Sequence, residues 1–252
     1  MSERAESLLR QAAAGDVALL AALRARVAAG EPAAYVAGFL EFEGRRFRSD
    51  PRAFITDPET VWLTRAAVEQ GRQLARQLGR PPQLLEFGVG AGTLAITLKL
   101  AQPAWSVAGI DIDESALDLA AENAADHGVD IELLPGDYLS GWPAHRSPPD
   151  LIFGDPPWGD AEDLYEPERD AHYYEQMPPA SAFPRSGGRT GIHDELIRRL
   201  AGSGWPSWLL LNYGTLPPEV IARSAAPLRE WRILNPVPGI SLMLGRGFDV
   251  LR

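Results

Sequence analysis

The chain has 252 residues, enough for one α/β domain of ordinary size plus a small extra unit. Lys and Arg number 24 against 34 Asp and Glu, and the resulting formal charge of −10 opposes sequence-independent binding to nucleic-acid phosphates, so no nucleic-acid polymer is expected as partner. Cysteine is absent and the four histidines have no metal-ligand spacing, which excludes disulfides and thiolate chemistry and leaves no metal site expected.

The first residues, Met1-Ser2-Glu3-Arg4-Ala5-Glu6, carry acids where a secretory signal carries basic charge, and no apolar run reaches the length of a membrane span. A cytoplasmic protein with no membrane partner is expected. Apolar positions at helical spacing predict two helices within 2–30, divided at Gly15-Asp16, with Asp16 capping the second. A hairpin or linker over 41–55 follows, then a helix over 59–78 stopped by Gly79-Arg80-Pro81-Pro82. Residues 1–55 are read as a helical N-terminal domain with its linker, and 56–252 as the main domain.

From Leu84 onward, short apolar runs alternate with helical stretches, the pattern of βαβ units around a parallel sheet. Strands are predicted over 84–87, 106–110, 131–134, 151–153 and 208–212, with helices over 93–100 and 114–127. A pair over 231–235 and 240–244 closes the sheet in antiparallel fashion. Between two strands lies 159–189, long, polar and broken by prolines, which marks a functional insertion.

Glu86-Phe87-Gly88-Val89-Gly90-Ala91-Gly92 stands where a strand turns into a helix, so its glycines let the backbone approach a ligand closely. A dinucleotide loop needs a third glycine where Thr93 stands, and the spacing here favours S-adenosylmethionine, which has no pyrophosphate. Asp111 closes the next strand, where a carboxylate accepts from two ribose hydroxyls, while Asp113 suits the cap of the following helix. Gly136-Asp137-Tyr138 ends the third strand, placing an acceptor for an adenine amino group and a ring to pack on it.

The motif Asp155-Pro156-Pro157-Trp158 follows the strand over 151–153. Its prolines stiffen the turn and donate no hydrogen bond, so the Asp155 carboxylate and the Pro156 carbonyl present acceptors to an NH2 group. With both N–H bonds engaged, the nitrogen lone pair points away from them, and positioning supplies much of the catalysis. Trp158 suits stacking on a planar or cationic group. Among the acids and tyrosines of the insertion, Glu162, Asp163 and Glu166 are the candidates to contact a cationic substrate.

These features resemble the HemK-type N-methyltransferases, which depend on S-adenosylmethionine and methylate a glutamine amide in release factors. The resemblance runs through Glu31-Pro32, Tyr35, Gly38, Phe42 to Phe47, Ile55 to Thr60, the glycine loop, Asp111, Asn123 and the proline motif. It implies a Rossmann-like class I methyltransferase fold: an α/β, mostly parallel, doubly wound sheet with antiparallel C-terminal strands and a small helical N-terminal domain. It further implies a cofactor site of Thr60, Glu86, Gly88, Gly90, Gly92, Asp111, Ile112, Asp137 and Tyr138, releasing S-adenosylhomocysteine. Two departures bear on the substrate: the family reads Asn-Pro-Pro-Tyr where this chain has Asp155 to Trp158, and Arg and Glu where it has Asp57 and Val61. A full negative charge suits a guanidinium better than an amide, so the expected reaction is N-methylation of a small arginine-like molecule. The alternatives are a release-factor glutamine, a nucleobase amino group, and a silent S-adenosylmethionine-binding module.

Overall fold

A computed structural model describes residues 1–165, 169–179, 181–184 and 186–248. Three helices, α1 (Glu3–Ala13), α2 (Val17–Ala28) and α3 (Ala33–Ala37), lead into a two-stranded hairpin of β1 (Phe39–Phe42) and β2 (Arg45–Arg48). Asp16 caps α2 as its sequence implies, its Oδ1 accepting from the N–H groups of Ala18 and Leu19 at 2.9 Å each. The hairpin turns at Glu43-Gly44, two residues after the expected hairpin segment begins, and the short α3 has no periodic signal of its own.

The main sheet runs from β3 (Gln83–Phe87) through β4 (Ser106–Asp111), β5 (Glu132–Pro135), β6 (Leu151–Gly154) and β7 (Trp208–Asn212) to β8 (Leu228–Val237) and β9 (Ile240–Phe248). Its spatial order is β5-β4-β3-β6-β7-β9-β8, with parallel pairing from β5 to β7 and antiparallel pairing of β9 with both of its neighbours. Period-two alternation sorts the two faces. Leu84, Val107, Leu151, Phe153 and Leu210 join the core under α4 (Val61–Leu78), α5 (Thr93–Ala101) and α6 (Glu114–Asp126). Leu85, Ala108, Ile152, Leu209 and Leu211 join the opposite core under α9 (Gly191–Ser203) and α10 (Pro218–Ala225). The predicted doubly wound sheet is therefore present, and β8 and β9 extend well beyond the predicted segments.

All of β6 is buried on both faces, and full burial of Leu151, Ile152 and Phe153 contributes roughly 1.5–3 kcal/mol each. That anchoring matters because the next residue is Asp155. The order in which strands are added to the sheet reverses between the parallel neighbours β3 and β6, and in open α/β sheets this switch opens a crevice at the strands' carboxyl ends.

The N-terminal helices share a small core of Leu9, Ala13, Leu23 and Val36, whereas Leu8, Ala34, Leu40 and Phe47 belong to the main core. Within the insertion, α7 (Ala161–Leu164) and α8 (Ala171–Glu175) are single helical turns. Gln176 donates from Nε2 to the Gly30 carbonyl at 2.7 Å, so the insertion also touches the N-terminal unit. No helix among the described residues is long and apolar enough to cross a membrane.

Candidate active site

The crevice contains a cavity of about 400 Å³, within the range of small-ligand sites. At one end stands the glycine loop, where Gly88, Gly90 and Gly92 take φ of 68°, 51° and 78°, a region that side chains disfavour. Gly88 and Gly90 lie on the cavity wall; Gly92 caps α5 and faces α6, where an added methyl would crowd Ala120. Asp111 lines the cavity, its two oxygens accepting the Gly90 N–H at 2.8 Å and the Asp113 N–H at 3.0 Å. Burial pushes its carboxyl above the usual range, and those backbone donors oppose the rise. Asp113 also caps α6, as expected, by accepting from the Ser115 N–H.

Ile112, Asp137 and Tyr138 complete this end, Ile112 being a large apolar side chain left exposed at its rim. Tyr138 holds a left-handed backbone, φ 55°, with its ring stacked on Phe87 and the Arg199 guanidinium 4.3 Å from its centroid. Arg199 also pairs with Asp137 at 3.2 Å.

Glu86 sits behind the loop. It is buried and accepts the Ala95 N–H at 2.7 Å, which secures the start of α5, and burial raises its carboxyl well above the ordinary carboxylate range. Thr60 is likewise buried, its hydroxyl donating to the Asp57 carbonyl at 2.6 Å. Neither lines the cavity: Glu86 completes the start of α5, and the Thr60 hydroxyl is spent on the Asp57 carbonyl.

Asp155, Pro156, Pro157 and Trp158 line the other end. Asp155 Oδ1 accepts from Asn212 Nδ2 at 2.8 Å, and Asn212 is fixed in turn by the Gly214 N–H on its side-chain oxygen at 3.0 Å. His193 Nε2 lies 2.8 Å from the Asn212 carbonyl, and since a carbonyl only accepts, that nitrogen carries the hydrogen. Burial keeps His193 neutral by pushing it down to about 4. Burial pushes the Asp155 carboxyl up to about 7; the Asn212 hydrogen bond opposes this and nearby Asp57 adds to it. The Trp158 indole rests on Gly214, where an added Cβ would lie 1.9 Å from the ring.

The insertion behaves differently from its sequence expectation. Asp163 is occupied by Arg189, whose Nε donates to it at 2.6 Å, and it also closes the cap of α7 by accepting the Asp160 N–H. Glu162 is exposed on α7, and neither it nor Asp163 lines the cavity, while Glu166 falls outside the described residues. Leu164 and Tyr174 supply the wall instead, with Phe54 stacked on Tyr174 at 6.4 Å. Asp57 also faces the cavity and pairs with Arg169 at 2.6 Å. Among the described residues the wall holds five acids, Asp57, Asp111, Asp113, Asp137 and Asp155. They face one cation, Arg52, itself paired with both Asp50 and Glu122. Reading from sequence did not find Asn212 or Phe54 as site residues; the one signal for Asp57 was its departure from the family pattern.

Residues 64–166 match the methyltransferase small domain family. A release factor glutamine methyltransferase of Koribacter versatilis is 30% identical over 221 residues, covering 86% of this chain and 73% of its own. The chain belongs to the HemK family of methyltransferases. Members take S-adenosylmethionine as cofactor, and the wall fits it: loop glycines leave the backbone open, and buried Asp111 is held by backbone donors at the cavity edge.

A further relative, the 4-amino-L-phenylalanine/4-methylamino-L-phenylalanine methyltransferase of Streptomyces pristinaespiralis, is 33% identical over 128 residues, 51% of this chain and 43% of its own. The chain spans about half the length of several curated relatives it matches. Among solved structures, the T. thermophilus 16S rRNA N2 G1207 methyltransferase in complex with AdoMet and guanosine has a similar fold. Its TM-score is 0.55 at 16% identity, over 82% of this chain and 49% of that one.

Proposed function

We propose that this protein is an N-methyltransferase whose acceptor is a planar nitrogen on a small amino-acid-like molecule, a guanidine or an arylamine, seated against Asp155. The observation that carries the reading is the acid-rich wall, in which Asp155 and Asp57 face one cavity with the aromatic surfaces of Phe54, Tyr174 and Trp158. S-adenosylmethionine supplies an activated methyl group on a sulfonium. Gly88 and Gly90 admit its amino-acid end, Asp111 accepts from the ribose hydroxyls, and Ile112, Asp137 and Tyr138 enclose the adenine.

Asp155 accepts from Asn212 on Oδ1 and also from the Trp158 indole N–H, and a carboxylate has lone pairs left to accept an N–H of the incoming nitrogen. The Pro156 carbonyl takes a second N–H, so the lone pair is held on the side away from both. Because burial has raised Asp155 to about 7, its carboxylate is also matched to receive the proton that the nitrogen sheds. Trp158, seated on Gly214, and Tyr174 exclude water and stack on the planar group.

A second reading is methylation of a release-factor glutamine, and the names of the matched relatives support it more directly than the first. The observation that favours the small acceptor is the acid at 155, together with a relative named for acting on an amino-acid arylamine. Incubating the protein with labelled S-adenosylmethionine and, in turn, L-arginine, 4-amino-L-phenylalanine and a release factor separates the two. Label in the release factor alone overturns the small-acceptor reading, and label in none of them supports the silent module.

A further inference from the structure

Four residues around Asp155 close a ring of contacts. Asp155 accepts from the Asn212 side-chain amide at 2.8 Å and from the Trp158 indole N–H. The Asn212 side-chain oxygen accepts the Gly214 N–H at 3.0 Å, and since that oxygen must face its donor, the amide turns its NH2 group toward Asp155. The Trp158 indole in turn lies against Gly214. Gly214 thus governs both groups that donate to Asp155, one through its N–H and the other through the side chain it lacks.

The backbone at Gly214 has little freedom to yield. It is buried, its carbonyl accepts the Ser241 N–H at 2.8 Å, and the preceding Tyr213 N–H donates to the Ser241 carbonyl at 2.8 Å, so the turn is tied to the start of β9. On the other side, the Gly159 N–H donates to the Arg189 carbonyl at 2.9 Å, which holds the main chain just after Trp158. The atoms nearest to an added Cβ at 214 are Cζ2, Cη2 and Cε2 of Trp158, all in the six-membered ring, and the last of them is bonded to the indole nitrogen. With both stretches of backbone pinned, a methyl group at 214 is relieved by the ring, which must retreat by more than an ångström. The indole hydrogen bond to Asp155 does not survive such a shift.

We propose that Gly214 is a positioning residue for methyl transfer: by carrying no side chain it seats the Trp158 indole so that the indole N–H and the Asn212 amide together hold Asp155 at the cavity wall as a hydrogen-bond acceptor. This rests on the role given to Asp155 above, and it holds for a small acceptor and for a glutamine amide alike. Both donors stabilise the anion and neither can accept a proton from it, so loss of the indole donor favours the protonated carboxyl, the form less able to accept from the incoming nitrogen. The other charges that bear on Asp155, those of Asp57, Glu59 and Glu86, with Arg169 paired to Asp57, are left in place when Gly214 is altered.

A double-mutant cycle of Gly214→Ala and Trp158→Phe tests the seat, using whichever of L-arginine, 4-amino-L-phenylalanine and a release factor takes label from S-adenosylmethionine. Phenylalanine lacks both the indole N–H and the ring atoms nearest to position 214. With Trp158 present, Gly214→Ala is expected to lower kcat/KM about tenfold or more and to move the ascending limb of the pH profile to higher pH, while S-adenosylmethionine affinity by calorimetry stays within a few fold. In the Trp158→Phe background the same change costs less than about twofold and leaves the limb where Trp158→Phe alone puts it. Backbone strain at a φ of 52° is common to both backgrounds, so an equal cost in each overturns the proposal, as does a limb that Gly214→Ala leaves unmoved. Either result leaves the small-acceptor reading standing. If Gly214→Ala alone no longer binds S-adenosylmethionine, recovery of binding in the double variant supports the seat and continued loss overturns it. Methylation of none of the three acceptors removes the role of Asp155, and the proposal with it.

Discussion

The two ends of one cavity, proposed above for cofactor and acceptor, are built by different means. At one end, Asp111 is held by the backbone N–H groups of Gly90, in the loop after β3, and of Asp113, in the loop after its own strand. At the acceptor end, Asp155 is held by a side chain 57 positions away, and Asp57 is paired with an arginine from the insertion. Backbone-built geometry survives most side-chain replacement, whereas side-chain-built geometry changes with a single residue. Substrate choice is therefore the more easily altered property of this site, and the cofactor site the more robust one.

The strongest way to break that comparison is Asp155→Ala, expected to lower kcat by about 10²–10⁴-fold while leaving S-adenosylmethionine affinity within a few fold. Steady-state rates with calorimetry of cofactor binding check both halves, and a parallel loss of cofactor affinity would merge the two ends into one. Asp111→Ala is the mirror image, weakening cofactor binding by roughly 10–100-fold through loss of charge-assisted hydrogen bonds, with the acceptor KM little changed.

Asn212→Ala sharpens the acceptor side through pH. The Asn212 donor favours the ionised Asp155, so removing it lifts a carboxyl already raised to about 7. If the anion is the working form, activity climbs as pH rises through about 7 in the unaltered protein, and in the variant the same limb moves to higher pH. A profile that stays in place would show that Asp155 is not the titrating group.

Stability gives the smaller companion effect. A carboxyl whose folded value lies above its unfolded one binds more protons when folded, so its ionisation costs stability as pH rises from about 4 to about 7. Asp155→Asn is accordingly expected to raise Tm by a few degrees at pH 8 and to change it little at pH 4, read by thermal melts. Smallest of all is Glu162→Gln, expected to change kcat and KM by less than about twofold, since this side chain is exposed and off the cavity wall.

Legibility from sequence followed the same division. The strands and the acids just after or at the ends of β4, β5 and β6 were readable because each sits at a fixed place in a local pattern. The insertion misled for a physical reason: acids near a site look alike in sequence, and only packing shows that Asp163 is spent on Arg189 while Glu162 faces outward. Glu86 misled similarly, since a loop-start carboxylate serves a ligand or its own helix with the same spacing, and here it serves the helix.

Sequence alone determined the doubly wound sheet, the glycine loop, Asp111 and the Asp155 turn, because period-two burial and proline or glycine backbone limits act between neighbours along the chain. Only the tertiary structure decided which acids line the cavity, that Asn212 donates to Asp155, and that Asp57 is paired with Arg169. Those contacts join residues far apart in sequence, where no periodicity links them and only the packing of the folded sheet brings them together.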